Sequence, residues 1–509
     1  MDFTERKNSI EFTLSAKLIE DFVDSNRECF CFIEMKTNGQ EWVELNRTKL
    51  VSMTQNIEWT DELEVEYKFH NQQDLRVTVF KVLDGENHLV GQTTEELRSL
   101  LNPLTERTLI NIDSQEVGVL ILKCEESEET KSKIVFELRA EGLEDLDVWD
   151  KSDPYLKIFR ESRSGWLLIH ETKVIPDTLN PHWEVIAMDF YHFCHCNPNT
   201  QIRIECYDWD SPTKSELIGE VGFKAHELQQ GKIFTLVNAS KIKKNQDSAS
   251  GKILVERCDM IPEKSFIDYL RDGMSINITV GIDFTASNGL ISNNNSLHYL
   301  QEGYQNEYEK ALRLLGSILS GYDTDQKFCA FGFGGKPHWV KPVGIRQDFA
   351  LNQHEHRPFI DSFEGVIECY RKVLEQITLS GPTYLAPLIR KQLEVISVSP
   401  PKTYHILLVF TDGEVDDLED VIEVLVEAST KPLSIVIIGL GYESFGKMQK
   451  LDGDQKDLTN RRGQKCARDI VQFVNYRNYK HDIGIFTREA LMEIPIQLMN
   501  YMKIKSSSR

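Results

Sequence analysis

Asp283, Thr285 and Ser287 stand at alternate positions where the apolar run 276–284 ends, in the stretch "TVGIDFTASNG". Burying a carboxylate there is costly unless something pairs with it. Asp412, in "VFTDGEVDD", ends a second apolar run in the same way, and Thr383 lies in "LSGPTYLAPL" ahead of a helical pattern. Two carboxylates and three hydroxyls make a hard, oxygen-only set suited to octahedral Mg²⁺ or Mn²⁺. Because hydroxyls are weak neutral ligands, the ion keeps much of its charge and attracts one further carboxylate from a partner. The plainer alternative makes Asp283 a helix cap and the hydroxyls first-turn residues.

A second constellation is purely acidic. "LEDLDVWDKSDPYLKI" (143–158) puts Asp147 and Asp153 on one loop, with Asp150 between them. "YDWDSPTKSELIGE" (207–220) puts Asp208 and Asp210 two apart at a strand end, with Glu216 six residues further on. Residues i and i+2 of a strand share a face, so Asp208 and Asp210 converge. Carboxylates gathered this closely repel one another unless a hard cation sits among them, and Ca²⁺ accepts many carboxylates in flexible geometry whereas Mg²⁺ keeps its waters. Taken singly, each stretch also reads as a solvated loop with Asp as turn former.

The elements around these residues fall into two kinds. Before Ile261 the chain is rich in alternating strand-like runs, such as "SIEFTLSAKLI" (9–19), "LRVTVFKVL" (75–83), "KIVFELRA" (133–140) and "IRIECYDWD" (202–210). Many short strands between turn residues suggest antiparallel sandwiches. The acidic stretch "CEESEETKSK" (124–133) divides this half into two weakly repeated parts. After residue 275 apolar strands at 276–284, 327–333, 405–410 and 433–439 alternate with helical stretches, including "NEYEKALRLLGSILSGY" and a final helix, "REALMEIPIQLMNYMKIK". That alternation marks a doubly wound α/β sheet, in which ligands gather at the carboxyl ends of the strands.

At 509 residues, several domains are expected. With 80 acidic residues against 58 basic ones, the net charge of −22 opposes non-specific contact with nucleic acid or an anionic membrane unless a bound cation or local basic patch intervenes. No apolar run is long enough to span a bilayer, and "MDFTERKNSIEF" lacks an apolar signal core, so a cytosolic location is expected and the ten cysteines read as reduced thiols.

The acidic loops, with "SDPYLKI", the Asp-x-Asp pair and "LIGE", resemble the C2 module of calcium-dependent membrane-binding proteins. Asp-x-Thr-x-Ser, "GPT" and "TDG" in this order resemble the von Willebrand A-type domain and its metal-ion-dependent adhesion site. Two C2 modules followed by that domain resemble the copine family, with supporting stretches in "DFTASNG", "SLHY", "FGFGGK", "FTDGEVDD" and "RDIVQFVNYRN". The resemblance implies a first C2 module over 1–126, a second over 127–261, a linker over 262–275 and an A-type domain over 276–505. It implies that Asp147, Asp153, Asp208, Asp210 and Glu216 bind calcium, although the family usually has Asp where Glu216 stands. At the loop crest Val148 and Trp149 are expected to enter the headgroup region, whereas Trp209 is expected in the core. In the first module Arg27-Glu28-Cys29 replaces "SDP", and Lys81 and Leu83 replace the Asp pair, so no calcium site is expected there.

The implied protein is not an enzyme. It is an adaptor that moves from the cytoplasm to anionic phospholipid membranes, at the plasma membrane or elsewhere, when calcium rises. Its A-type domain recruits partners that offer an acidic side chain; nucleic acid is not among them. The rival readings are a calcium-independent scaffold and a phosphotransferase or hydrolase using Asp283 as nucleophile. Thr285, however, occupies the position where haloacid-dehalogenase-like enzymes want a second Asp. "GFGGKPHW" (332–339) lacks Walker spacing, "GLGYES" (439–444) lacks a third glycine, and "YHFCHC" (191–196) lacks a matching metal-ligand cluster.

Overall fold

The computed structural model describes residues 8–126, 131–146, 151–162, 165–211, 214–238, 249–323, 325–452 and 458–507. Two compact units divide the chain. One comprises Met1–Phe12, Glu62–Tyr67 and Cys124–Lys264, and the other Thr13–Asp61, Lys68–Lys123 and Ser265–Arg509. Three main sheets follow in sequence, of nine, eight and seven strands. The first two are antiparallel β-sandwiches, and the third is a mostly parallel sheet with helices.

In the second sandwich the period-2 pattern explains which side chains line the core. Along Gln201–Ser211, Ile202, Ile204, Cys206 and Asp208 are buried, while Arg203, Tyr207 and Trp209 turn outward. Asp208 thus continues the buried face at the strand end. Trp209 is 38% exposed, which corrects the expectation that it lies in the core. The core-facing parity belongs to its Asp neighbour.

In the third sheet five parallel strands run in the order Lys327–Phe333, Ser275–Asp283, Thr403–Thr411, Leu433–Gly439, Val471–Asn475, with the short strands Phe349–Ala350 and Phe359–Asp361 antiparallel to Lys327–Phe333. Every residue of Thr403–Thr411 and of Leu433–Gly439 is buried, as strands covered on both faces require. The chain starts in Ser275–Asp283, goes to one side for Lys327–Phe333 and to the other for Thr403–Thr411. The order therefore reverses at the carboxyl ends of Ser275–Asp283 and Thr403–Thr411, where a crevice opens. Helix Glu307–Leu319 starts in a capping box, with the Asn306 side chain accepting from Glu309 N at 3.0 Å and Glu309 Oε2 accepting from Asn306 N at 3.0 Å.

Two local differences from the sequence reading have clear causes. The single expected C-terminal helix is two, Ile483–Leu491 and Ile494–Ser507. Pro495 has no N–H to offer the Leu491 carbonyl and its ring would crowd that carbonyl in a continuous helix, whereas it fits the first turn of the second helix. The stretch expected as a linker carries a helix, Phe266–Arg271, in which Phe266 and Ile267 are buried.

Within the larger unit, Phe69 of the first sandwich lies against Phe266 and Tyr322, with ring centroids at 5.2 and 4.4 Å. The Arg98 guanidinium sits 4.4 Å from the Tyr322 ring centre and donates from Nη1 to Ile318 O at 2.7 Å. A side chain at Gly321 would collide with that guanidinium, so glycine lets the two segments approach.

Candidate metal centres

At the crevice of the parallel sheet the structure brings four of the five expected groups into hydrogen-bond contact. Asp283, with no exposed surface, accepts from Thr285 N at 2.8 Å and from Thr411 Oγ1 at 2.6 Å. Asp412, 2% exposed, accepts from Ser287 Oγ at 3.0 Å and from Thr285 Oγ1 at 3.4 Å. The Thr285 and Ser287 hydroxyls are 2.8 Å apart. The Thr383 hydroxyl makes none of these bonds. Its loop is held instead by Asp416, which accepts from Thr383 N at 2.9 Å and donates its own N–H to Thr383 O at 2.9 Å.

Electrostatically this centre is incomplete by itself. Burial pushes the Asp283 carboxyl up, against the hydrogen bonds from Thr411 and Thr285 that pull it down. Burial, then the neighbouring Asp283 charge, pushes Asp412 to about 7. Among the described residues neither carboxylate has a Lys, Arg or His partner. Two buried carboxylates bridged only by hydroxyls repel each other and lose their hydration. A hard divalent cation relieves both costs, and the all-oxygen donors suit Mg²⁺ or Mn²⁺.

Several residues that build this cradle escaped the sequence reading. Thr411 directly precedes Asp412 in "FTDG" and supplies the shortest bond to Asp283. His298, in "SLHY", donates from Nε2 to Asp283 O at 2.8 Å and accepts at Nδ1 from Tyr370 Oη at 2.6 Å, a neutral tautomer consistent with burial pushing its pKa down to about 3. Asn288 donates to Thr285 O at 3.3 Å and accepts from Tyr308 Oη at 2.8 Å. The glycines of "FGFGGK" serve close approach: a Cβ at Gly334 would lie 2.3 Å from Thr285 Cγ2. That explains a Gly-rich loop with no phosphate to cradle.

The acidic loops of the second sandwich are arranged differently. Asp208 Oδ1 accepts from Asp153 N at 2.7 Å, and Asp153 Oδ1 accepts from Asp177 N at 2.7 Å. Asp177, also missed by the sequence reading, holds the loop from a left-handed conformation (φ 54°) and accepts from Lys151 N at 3.3 Å. Asp208 faces Glu216 across the strand pair. A register shift between Trp209 and Ser211 places Asp210 at a bulge, so the pair is not the simple same-face pair of a regular strand. Lys214 Nζ lies 3.2 Å from Glu216 and 3.3 Å from Asp210, and these two carboxylates, Glu216 foremost, push its pKa up. Asp147, Val148 and Trp149 lie outside the described residues.

Among the described residues the one group of three side chains whose ligand atoms lie within 4.8 Å of one another is elsewhere, at Glu137, His182 and Glu256. Arg139 Nε at 2.6 Å and His182 Nε2 at 3.2 Å already pair with Glu256, while Arg257 lies 3.7 Å from Glu137. These are ion pairs on a sheet surface. In "YHFCHC", Phe190–Cys194 forms a short helix with Cys194 buried, and the carbonyls of Tyr191 and His192 accept from the buried Arg160.

The Copine family model matches residues 296–509, and the C2 domain model matches residues 13–112 and 133–237. Solved structures similar to this chain include a domain described as BON1-C2B, 21% identical, covering 26% of this chain and 92% of that one at a TM-score of 0.22. A C2 domain of plant extended synaptotagmin 1 is 23% identical over 26% of this chain and 96% of its own, at 0.21. The calcium-bound tandem C2 domains of extended synaptotagmin 2 are 14% identical over 51% of this chain and 99% of their own, at 0.22.

Proposed function

The chain has the copine architecture, two C2 domains followed by a copine domain, and from that premise we propose a calcium-dependent phospholipid-binding adaptor. It moves from cytosol to anionic membranes through the second C2 module. It then recruits protein partners through an Mg²⁺ or Mn²⁺ ion in the A-type domain. Calcium would be held by Asp147, Asp153, Asp208, Asp210 and Glu216, converting a negative tip into one that bridges to lipid phosphate. Val148 and Trp149 would enter the headgroup region. The second ion would be held by Asp283, Thr285, Ser287, Thr383 and Asp412, and would supply an open position for a partner's carboxylate.

The observation that carries the recruitment reading is the Asp283–Asp412 pair, buried, bridged by hydroxyls and without a basic side-chain partner among the described residues. Mn²⁺ binding followed by electron paramagnetic resonance, in excess Ca²⁺ to fill the C2 cup, is expected for wild type and lost in Asp283→Ala. Equal binding by both proteins overturns the reading. The enzymatic alternative is tested on the same pair of proteins: Mg²⁺- or Mn²⁺-dependent phosphate release that disappears in Asp283→Ala would favour it over the adaptor.

A further inference from the structure

Beside the cradle lies a pocket of about 430 Å³ whose walls include Leu297, Tyr304, Tyr442, Tyr476, Arg477 and Lys480. Both of its inner walls belong to segments that hold the metal ligands. On one side, Leu297 N donates to Asn288 O at 3.0 Å, next to His298, which holds the Asp283 carbonyl. On the other, Tyr442 follows Gly441 and Leu440, and Leu440 N donates to the carbonyl of Thr411 at 2.8 Å. Thr411 in turn is bonded to the Asp283 carboxylate.

The charges in this pocket are unusual for an acidic chain. The Arg477 guanidinium stacks at 4.3 Å from the Tyr442 ring centre, and both Arg477 and Lys480 are exposed. Among the described residues neither cation makes an ion pair, although acidic residues outnumber basic ones by 80 to 58. The one acidic wall residue, Glu307, is paired with Lys310 at 3.6 Å. Stacking on Tyr442 fixes the Arg477 plane while leaving its edge donors available, the arrangement suited to receiving a carboxylate side-on.

We propose that this pocket receives the acidic flank of a protein segment whose own carboxylate completes the neighbouring metal site, with Arg477 and Lys480 as the receiving cations. The proposal rests on the metal reading above and adds the sequence character of the partner: an acidic run, not a single acidic residue. A local cationic pocket is what such a run needs against the repulsion of a chain carrying −22.

Fluorescence anisotropy of a labelled oligoglutamate peptide with the full-length protein in Mn²⁺ tests this, with an oligoglutamine peptide as control. Arg477→Ala/Lys480→Ala is expected to weaken oligoglutamate binding about tenfold while leaving Mn²⁺ binding, read by electron paramagnetic resonance, unchanged. Asp283→Ala is expected to lose both signals. Unchanged affinity in the double variant overturns the pocket proposal and leaves the metal reading standing. Mn²⁺ binding that survives Asp283→Ala overturns the metal reading and with it the metal-completing part of the proposal, while the double variant still decides whether the pocket receives an acidic run. If the double variant loses anionic-liposome binding but keeps the peptide, the pocket serves lipid and the proposal fails.

Discussion

The two sandwiches share a backbone and differ in chemistry. In the first, Cys29 faces Lys81, which faces His88 on the next strand. In the second, Pro154 faces Asp208, which faces Glu216. Both have the same irregularity: register shifts after Val79 and after Cys206, opposite Gly91 and Gly219, with Val90 and Ile218 as the extra, buried residues. Bulge, glycine and strand register therefore persist where the acidic side chains do not. Lys81 stands at the position of Asp208, Leu83 two residues on at that of Asp210, and Glu28 at that of Asp153. The same sandwich backbone thus carries different side chains at one end, and any ion chemistry there depends on those few side chains. On this reading, an ammonium group at the centre of the expected cup would exclude calcium by charge, without any change of fold.

The comparison breaks most sharply at the Asp pair. Asp208→Asn/Asp210→Asn is expected to raise the calcium needed for liposome co-sedimentation by more than about tenfold, since ligand charge count sets calcium affinity. Sedimentation that ignores both calcium and the mutations would leave a calcium-independent scaffold. The next effect belongs to the first sandwich. Phe69, 3% exposed, packs on Phe266 and Tyr322, so Phe69→Ala is expected to cost about 3–5 kcal/mol in chemical denaturation while calcium-dependent sedimentation stays at the wild-type level. A loss of lipid binding instead of stability would mean that the first sandwich shares the membrane role.

Most of the architecture was legible because its signals are local. Continuous apolar runs mark the parallel strands, and Asp283, Thr285, Ser287 and Asp412 are placed by strand ends that those runs define. Thr383 was legible as part of a loop, but its hydroxyl makes none of the bonds that join the others, since the hold of Asp416 on its backbone depends on a distant segment. His298 and Asn288 were invisible for the same reason. Their partners lie 15 and 3 residues away through a folded loop with no periodicity to read. Trp209 was misjudged because the parity of a strand can be assigned only once its buried face is known, and a buried acid reverses the usual expectation.

A gain of function probes the same comparison from the opposite side. Lys81→Asp/Leu83→Asp places two carboxylates at the register positions of Asp208 and Asp210, opposite a loop that already carries Glu28. Isothermal titration in an Asp208→Asn/Asp210→Asn background is expected to show a new, weak site in the range of about 10⁻⁴–10⁻³ M. No heat of calcium binding would mean that the backbone of the first sandwich, and not only its side chains, has diverged.

The smallest expected effect concerns the cation that the second sandwich carries itself. Lys214 sits between Asp210 and Glu216, with its ammonium at 3.3 and 3.2 Å. It offsets part of the repulsion between those carboxylates. If calcium takes the same oxygens, as proposed above, Lys214 would have to leave; binding would then exchange one cation for another, and removing the tethered one would lower the threshold. The pair is solvent-exposed, so screening keeps the effect modest. Lys214→Met is expected to lower the calcium needed for half-maximal liposome binding by roughly twofold to fivefold. Higher ionic strength should shrink that difference, since salt screens the Lys214 pairs before calcium arrives. A raised calcium requirement would show that Lys214 positions the two carboxylates for calcium rather than competing with it. In that case the reach of the Glu216 side chain would serve to hold the lysine.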